Sequence, residues 1–221
     1  MTVSNKGRRL LPLVLLATLL VAFAAVGCSG AQGDAPAEKS DEASAQRTAD
    51  PNDPYASGIH HARIEVEGYG TIEVTLNANA APITANFCHL AEEGFYDGLT
   101  FHRVVPGFMI QGGDPSGDGT GGSDQTITGE FSANGVANSI PHTRGTISMA
   151  RASDPDSASS QFFIMQETTP SLDGQYAAFG TVTSGMEVVD AICEKVPVAD
   201  EASGLVAPED QPVITSIEVL D

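Results

Sequence analysis

The stretch of this chain that decides the fold is Phe101–Asp114, which reads FHRVVPGFMIQGGD. The Pro-Gly pair in its middle is a turn signal between two short apolar segments, so the stretch is predicted to form two antiparallel strands. Arg103 and Gln111 lie within nine residues, with Phe108 and Met109 between them. On such strands these side chains can line one patch of a sheet, with an apolar floor and a fixed positive donor. The patch suits a ligand that has a small apolar ring next to an amide group. Action on that amide by a positive donor needs no Cys, Ser or carboxylate nucleophile.

The N-terminus has the pattern of an export signal. Three basic residues precede the almost wholly apolar run Leu10–Val26, which ends just before Cys28. This arrangement resembles a bacterial lipoprotein signal, in which small residues precede a Cys that is lipidated and becomes the new N-terminus. The resemblance assigns residues 1–27 to a signal peptide and a lipid such as palmitate to Cys28. The alternative is an uncleaved transmembrane anchor, since the apolar run is at the short end of what spans a bilayer.

The chain is strongly acidic. Its formal net charge is −19, from 10 basic and 29 acidic residues. Removal of residues 1–27 would take away three basic residues and no acidic one, which would leave −22. A surface of this sign argues against binding to nucleic acid and against electrostatic adsorption to anionic lipid. Membrane attachment would therefore depend on the lipid, which predicts a protein anchored at the extracytoplasmic face of the cell membrane.

Composition divides the rest of the chain into two parts. Residues 28–57 are rich in Ala, Ser, Asp, Glu, Gln and Pro and hold a single aromatic residue. Such a segment cannot bury enough apolar surface to offset the entropy of ordering, so a disordered tether after the lipidated Cys is predicted. Residues 58–221 have the size of one domain.

The domain is predicted to be rich in β-strands. Apolar residues alternate along 62–66 and 71–76, which predicts a hairpin with one buried face, and helical spacing predicts helices at 82–94 and 186–196. Further short strands are predicted at 100–105, 108–112, 145–150, 162–166, 178–182 and 212–220. Many short strands with only two helices favour a closed antiparallel barrel, because closure removes exposed edges. The acidic segment 198–211 carries no pattern that predicts a role beyond bridging the second helix and the last strand.

Several motifs of this domain are specific to one protein family. Besides the decisive stretch, they are Pro82–Phe87 (PITANF), Gly119–Gly122 (GTGG), Gly145–Ala150 (GTISMA), Ser160–Ile164 (SQFFI), Leu172–Gly174 (LDG) and Phe179-Gly180. On these residues the domain resembles a cyclophilin, a peptidyl-prolyl cis-trans isomerase. The resemblance implies a mainly β fold, a closed eight-stranded antiparallel β-barrel capped by two α-helices. It also implies that the active groove lies on the outside of the barrel wall.

The resemblance also assigns a site. Arg103 matches the catalytic arginine, and Gln111 matches the glutamine that helps to hold the arginine and the substrate. Phe108 and Phe163 match catalytic positions in the walls of the proline pocket. The other matches are expected to bind substrate: Met109 and Leu172 in the pocket walls, Ala150, Arg151 and Gln161 along the substrate backbone, Gly119 in the glycine-rich rim, and Tyr176 at the pocket. Phe162 and Phe163 are neighbours in one strand and point to opposite faces, which predicts one in the core and one in the pocket. The resemblance implies that Phe163 is the pocket residue.

Three positions depart from the best-known eukaryotic pattern. Arg151 stands where Asn is usual, but that residue acts mainly through its backbone, so function should survive. Ser171 stands where a Trp contacts cyclosporin, which predicts weak binding of the drug. Tyr176 replaces a pocket His, and its phenol ring can still close the pocket.

The predicted function is acceleration of X–Pro bond rotation in exported proteins by a non-covalent mechanism. Rotation frees a lone pair on the proline nitrogen, and a donor such as Arg103 would bind the twisted state selectively. The expected partners are proline-containing unfolded or partly folded polypeptides, and a monomer is expected. The alternative is a non-catalytic proline-peptide-binding or holdase module, against which the intact Arg103, Phe108, Gln111 and Phe163 argue.

No cofactor or metal is predicted. The loop Asp114–Gly119 begins like a calcium loop, but Gln125 stands where such a loop needs a bidentate Glu. The histidines are scattered and show no ligand spacing. With Cys28 assigned to lipid, Cys88 and Cys193 lie at apolar positions of the two predicted helices, which favours buried free thiols over a disulfide.

Overall fold

The computed structural model describes residue 50, residues 52–81 and residues 83–221. The predicted signal peptide, Cys28, most of the predicted tether and Pro82 lie outside the described residues. The elements in chain order are β1 (Ile59–Val66), β2 (Gly70–Asn77), α1 (Thr84–Glu92), β3 (Arg103–Val105), β4 (Met109–Gly112), β5 (Thr146–Met149), β6 (Phe162–Met165), β7 (Ala177–Ser184), α2 (Met186–Lys195), β8 (Val198–Asp200), β9 (Leu205–Val206) and β10 (Ile214–Val219). Short 3₁₀ helices occupy Ser132–Asn134, Pro170–Leu172 and Pro208–Asp210. Within the described part of the chain, no helix combines the length and the apolar character needed to cross a bilayer.

The strands form one antiparallel sheet in the order β10-β1-β2-β7-β5-β6-β4-β3-β9-β8. The expected mainly β fold with two helices is confirmed. The expected closed barrel of eight strands is wrong, because the described sheet has ten strands and its order ends at β10 on one side and β8 on the other. The reason lies in the acidic segment after α2, which forms β8 and β9. Strand β9 pairs Leu205 with Arg103 and thereby occupies the edge of β3.

A few isolated backbone contacts connect the segments that precede β3 and β10. An isolated antiparallel bridge joins Thr100 to Val213. The N–H of Gly98 donates to the carbonyl of Ile214 at 2.8 Å. The sheet therefore curves back on itself, with a few hydrogen bonds at the seam instead of a continuous ladder.

The predicted hairpin of β1 and β2 is confirmed and supplies one side of the core. Its alternating apolar residues are buried: Ala62, Ile64, Val66, Ile72, Val74 and Leu76. The helix α1 packs against β10, and α2 packs against β2. The ring of Phe87, on α1, lies 5.2–5.4 Å from the rings of Tyr96, Phe162 and Phe179. These aromatic contacts fix the helix on the sheet and leave the opposite face of β3, β4 and β6 to other residues.

The two cysteines of the described domain are free thiols, as predicted. Cys88 lies on α1 and Cys193 on α2, and both are buried and unpaired. Burial raises the pKa of each thiol to about 12. Both groups are therefore protonated at neutral pH, which makes them poor nucleophiles.

Candidate active site

Three strands bring three of the four predicted catalytic side chains into one row, and Phe108 lies in the turn between β3 and β4. Backbone pairing sets Arg103 of β3 directly opposite Gln111 of β4, and Gln111 directly opposite Phe163 of β6. Directly opposed residues of neighbouring antiparallel strands project from the same face of a sheet. The cation, the amide and the aromatic ring therefore share one side of the sheet, although Phe163 is far from the other two in sequence.

This face carries a second hydrophobic cluster, separate from the main core. Its buried members are Met109, Phe163 and Met165. Partly buried residues pack around them: Val105, Phe108, Ala150, Leu172 and Tyr176. Phe162 belongs instead to the main core. The predicted division of Phe162 and Phe163 between core and pocket is confirmed.

The surface above this second cluster has a hollow of about 340 Å³. Its lining residues are His102, Arg103, Phe108, Met109, Gln111, Gly119, Ala150, Arg151, Phe163, Leu172, Tyr176 and Leu205. Every predicted site residue of the domain except Gln161 is among them. Gln161 lines an adjoining hollow of about 200 Å³, which shares Gln111, Gly119, Ala150 and Arg151 with the first.

A chain of hydrogen bonds forms the polar wall of the hollow. Nη1 of Arg103 donates to Oε1 of Gln111 at 3.1 Å, and Nε2 of Gln111 donates to Oε1 of Gln161 at 2.8 Å. Nε2 of Gln161 donates in turn to the carbonyls of Gly119 and Gly121, at 3.2 and 2.8 Å. Because a guanidinium can only donate, it sets the orientation of each amide along the chain. The position of the arginine is thereby coupled to the glycine-rich rim.

Arg103 is held from two sides. Its Nε donates to the backbone carbonyl of Ser203 at 2.6 Å, while Nη1 donates to Gln111. The side chain is half-buried, and this burial lowers the pKa of Arg103 from its ordinary value. A guanidinium nevertheless keeps its charge in a protein. The donors that remain therefore present a fixed positive charge to the hollow in partly dry surroundings.

Two rings hold Phe163 in place. The ring of His142 stacks on it with centroids 6.0 Å apart and planes 16° apart, and Tyr176 meets it edge-on at 5.8 Å. His142 is itself fixed by Oδ1 of Asp173 at 3.0 Å and Oγ of Ser148 at 3.1 Å. Burial lowers the pKa of His142, so a neutral ring backs the apolar wall at neutral pH. Sequence reasoning assigned His142 no role at the site, because its spacing from Phe163 carries no pattern.

The side chain of Arg151 also contacts the aromatic wall. Its guanidinium carbon lies 4.8 Å from the ring centroid of Tyr176 and 5.1 Å from that of Phe131. Its Nε and Nη2 donate to the carbonyl of Gln175, at 3.1 and 3.0 Å. Cation–π contacts of this kind favour one placement of the ring. Arg151 thus helps to keep Tyr176 at the edge of the hollow, a contact that sequence reasoning did not foresee.

Asp114 organises the rim of the hollow. Its buried carboxylate accepts N–H groups of Ser116, Asp118 and Gly119 at 2.8, 3.1 and 2.6 Å. The loop that begins like a calcium loop is therefore built around hydrogen bonds to its own backbone. Gly119 has a φ of +89°, in the left-handed region that favours glycine. Among the residues that the structure describes, no group of three or more His, Cys, Asp and Glu could hold a metal ion.

Two lining residues, His102 and Leu205, were not predicted. His102 is buried, neither of its ring nitrogens has a hydrogen-bond partner among the described residues, and burial lowers its pKa. No sequence signal pointed to it, because alternation along the predicted strand 100–105 would place His102 on the face opposite to Arg103. Leu205 belongs to the acidic segment after α2 and reaches the hollow only because β9 pairs with β3.

Known proteins resemble this chain in both sequence and fold. The model of the cyclophilin type peptidyl-prolyl cis-trans isomerase family matches residues 61–219. Peptidyl-prolyl cis-trans isomerase B of Bacillus subtilis is 53% identical over 125 residues, which are 55% of this chain and 82% of that protein. A peptidyl-prolyl cis-trans isomerase of Synechococcus elongatus is 52% identical over 112 residues, which are 50% of this chain and 72% of that protein.

Crystal structures of a cyclophilin type isomerase of Cryptosporidium parvum have a similar fold. One has a TM-score of 0.64 at 30% identity and covers 74% of this chain and 99% of its own. Another was determined in the presence of the dipeptide Ala-Pro. It has a TM-score of 0.63 at 32% identity and covers 73% of this chain and 99% of its own. Fold and sequence together define an isomerase of the peptide bond that precedes proline. The chain belongs to the cyclophilin-type peptidyl-prolyl cis-trans isomerase family.

Proposed function

We propose that this enzyme accelerates rotation about X–Pro bonds by stabilising the twisted bond with Arg103. Rotation about a peptide bond has a barrier of about 18–20 kcal/mol, and X–Pro bonds relax in roughly tens to hundreds of seconds. In the twisted state the proline nitrogen carries a lone pair that the planar bond shares with the carbonyl. A donor directed at that lone pair binds the twisted state more tightly than the planar state, which lowers the barrier.

The observation that carries this proposal is a fixed guanidinium beside an apolar hollow. The carbonyl of Ser203 and the amide of Gln111 hold two donors of Arg103, so the others need no reorganisation at the moment of rotation. Phe163 and Leu172 would hold the proline ring while the preceding carbonyl rotates. The Cryptosporidium parvum isomerase was crystallised in the presence of Ala-Pro, which supports proline peptides as the class of ligand.

Replacement of Arg103 by Ala tests this role. Turnover of a short proline peptide in a protease-coupled assay is expected to fall by about a hundredfold or more, because a donor to the developing lone pair is lost. Arg103→Lys keeps the charge without the planar fork, so an intermediate loss is expected. Urea unfolding checks that the fold is retained. A folded Arg103→Ala protein with wild-type turnover would refute the role.

We further propose that the enzyme acts outside the cytoplasm, held to the membrane by a lipid on Cys28. The basic head, the apolar run Leu10–Val26 and the small residues before Cys28 support this proposal. Its substrates would then be proline-containing unfolded or partly folded exported polypeptides.

Replacement of Cys28 by Ala tests the anchor. The variant is expected to carry no lipid, with turnover unchanged because the site is untouched. Mass spectrometry of the wild-type protein is expected to find a lipid-modified N-terminus at residue 28. An intact Met1 in the wild-type protein would favour the uncleaved anchor instead.

A further inference from the structure

The turn between β8 and β9 contacts the guanidinium of Arg103 directly. The backbone carbonyl of Ser203 accepts a hydrogen bond from Nε of Arg103 at 2.6 Å. Next to it, the N–H of Val104 donates to the carbonyl of Gly204 at 2.8 Å. We call residues 198–206 the β8–β9 hairpin. This hairpin is therefore bonded to β3 at two points, the side chain of Arg103 and the backbone of Val104.

Asp200 stabilises this turn. Its Oδ2 accepts a hydrogen bond from Oγ of Ser203 at 2.7 Å, and its Oδ1 accepts the N–H of Ala202 at 3.0 Å. Its backbone carbonyl accepts the N–H of Gly204 at 2.7 Å. The hydrogen bond from Ser203 lowers the pKa of Asp200, so the carboxylate is ionised at neutral pH. An exposed turn thus has a defined shape, and it presents the Ser203 carbonyl in one direction.

Gly204 allows the turn to lie this close to β3. Its φ is +81°, in the left-handed region that side chains disfavour. A Cβ at this position would lie 3.0 Å from the carbonyl oxygen of Val104, which is tighter than ordinary contact. The residue that follows Ser203 is therefore suited to the close approach that the contact with Arg103 needs.

We propose that the β8–β9 hairpin positions Arg103 for catalysis, with Asp200 as the positioning residue that keeps the Ser203 carbonyl on Nε. The inference rests on the proposed role of Arg103. Without this carbonyl, Gln111 alone among the described residues would hold the guanidinium, and the group could turn about the bonds of its long side chain. Its free donors would then meet the proline nitrogen in the productive direction less often. Asp200 does not belong to the lining of the hollow, so it acts through the arginine.

The test compares Asp200→Ala with Glu201→Ala, which removes the same charge from the exposed neighbouring residue. Asp200→Ala is expected to lower kcat for a proline peptide about tenfold, with KM nearly unchanged, because Arg103 acts on the twisted state. Exchange of the Nε proton of Arg103 with water, measured by NMR, is expected to become faster in this variant. Glu201→Ala should match the wild type in both measurements.

The same substitution in an Arg103→Ala background separates the two proposals. There, Asp200→Ala should cause no further loss, because the residue acts through the arginine. Wild-type kcat in Asp200→Ala, or an equal loss in both backgrounds, would overturn the inference and leave the role of Arg103 intact. Wild-type turnover in Arg103→Ala alone would overturn that role, and the inference with it.

A second variant covers the case in which Asp200→Ala does not fold. Ser203→Ala removes the hydroxyl that donates to Asp200 and keeps the carbonyl that accepts from Arg103. A smaller loss of kcat with faster exchange of the Nε proton is expected. Unchanged kcat and unchanged proton exchange in Ser203→Ala would overturn the inference.

Discussion

The carboxylate of Glu130 is partly buried and lies beside the first turn of α1. Its Oε2 accepts the N–H of Ile83 at 2.9 Å. Burial nevertheless raises the pKa of Glu130 from 4.5 to about 7. The folded protein therefore keeps a proton on Glu130 at pH values where the unfolded chain has released it. By linkage, this residue makes the free energy of unfolding fall as the pH rises from about 4.5 to about 7.

Replacement of Glu130 by Gln is expected to remove this part of the pH dependence. The free energy of unfolding of the variant, relative to the wild type, should increase by up to about 3 kcal/mol between the two ends of that range. Urea unfolding at a series of pH values measures both proteins. His102 and His142 act with the opposite sign, because burial lowers their pKa values, but they are present in both proteins and cancel. If the free energy of unfolding changes with pH by the same amount in both proteins, the prediction is contradicted.

The residues of the site differ in how well they could be predicted from the amino-acid sequence. Arg103 and Gln111 lie in one short stretch with a turn signal. Alternation along a strand places Phe162 and Phe163 on opposite faces, and the family resemblance assigned Phe163 to the pocket. His142 and Ser203 could not be found in this way. His142 acts by stacking on a distant ring, and Ser203 acts through a backbone carbonyl, which every residue type possesses.

Two glycines at the ends of elements differ in how much space surrounds them. Gly185 directly precedes α2, and Gly68 lies in the turn between β1 and β2. Both are in the left-handed region, with φ of +92° and +71°. A Cβ at Gly185 would overlap the carbonyl oxygen of Thr71 and lie 2.8 Å from Cα of Ile72, whereas a Cβ at Gly68 would meet nothing within 4 Å. The start of α2 therefore depends on a glycine for space as well as for conformation.

Replacement of each of these glycines by Ala tests the difference. Gly68→Ala is expected to lower the free energy of unfolding by about 1 kcal/mol, the cost of the left-handed backbone alone. Gly185→Ala should cost about 3 kcal/mol, because the overlap with β2 adds to the same backbone cost. Urea unfolding measures both. Equal losses would mean that α2 shifts to relieve the overlap.

The elements that sequence predicted well are those with a repeated local pattern. Alternation along 62–66 and 71–76 indicated β1 and β2, and helical spacing indicated α2 over 186–196, against the observed Met186–Lys195. The strands β8 and β9 have only three and two residues, which is too short for alternation to appear. They form because β9 pairs with the distant strand β3. The error in strand count and closure came from that non-local pairing.

At the scale of the whole molecule, the packed domain extends further toward the N-terminus than composition indicated. Tyr55, assigned to the tether, is only 7% exposed and belongs to the main core. Its hydroxyl donates to Oε1 of Glu92 at 2.6 Å, and a carboxylate oxygen of Asp53 lies 2.7 Å from Nε2 of His89. One ring and two polar contacts thus hold this segment on α1. Composition averages over a segment and cannot reveal a single anchoring side chain.

Replacement of Tyr55 by Ala is expected to destabilise the whole domain by about 3–5 kcal/mol, because a buried ring is lost from the core. Tyr55→Phe keeps the ring and removes the hydrogen bond to Glu92, so a loss of about 1 kcal/mol is expected. Urea unfolding measures both, and backbone amides of residues 53–57 should exchange faster in the Ala variant. Turnover should be unchanged, because Tyr55 does not line the hollow. Wild-type stability in Tyr55→Ala would mean that the domain does not need this segment and that the tether extends to residue 57.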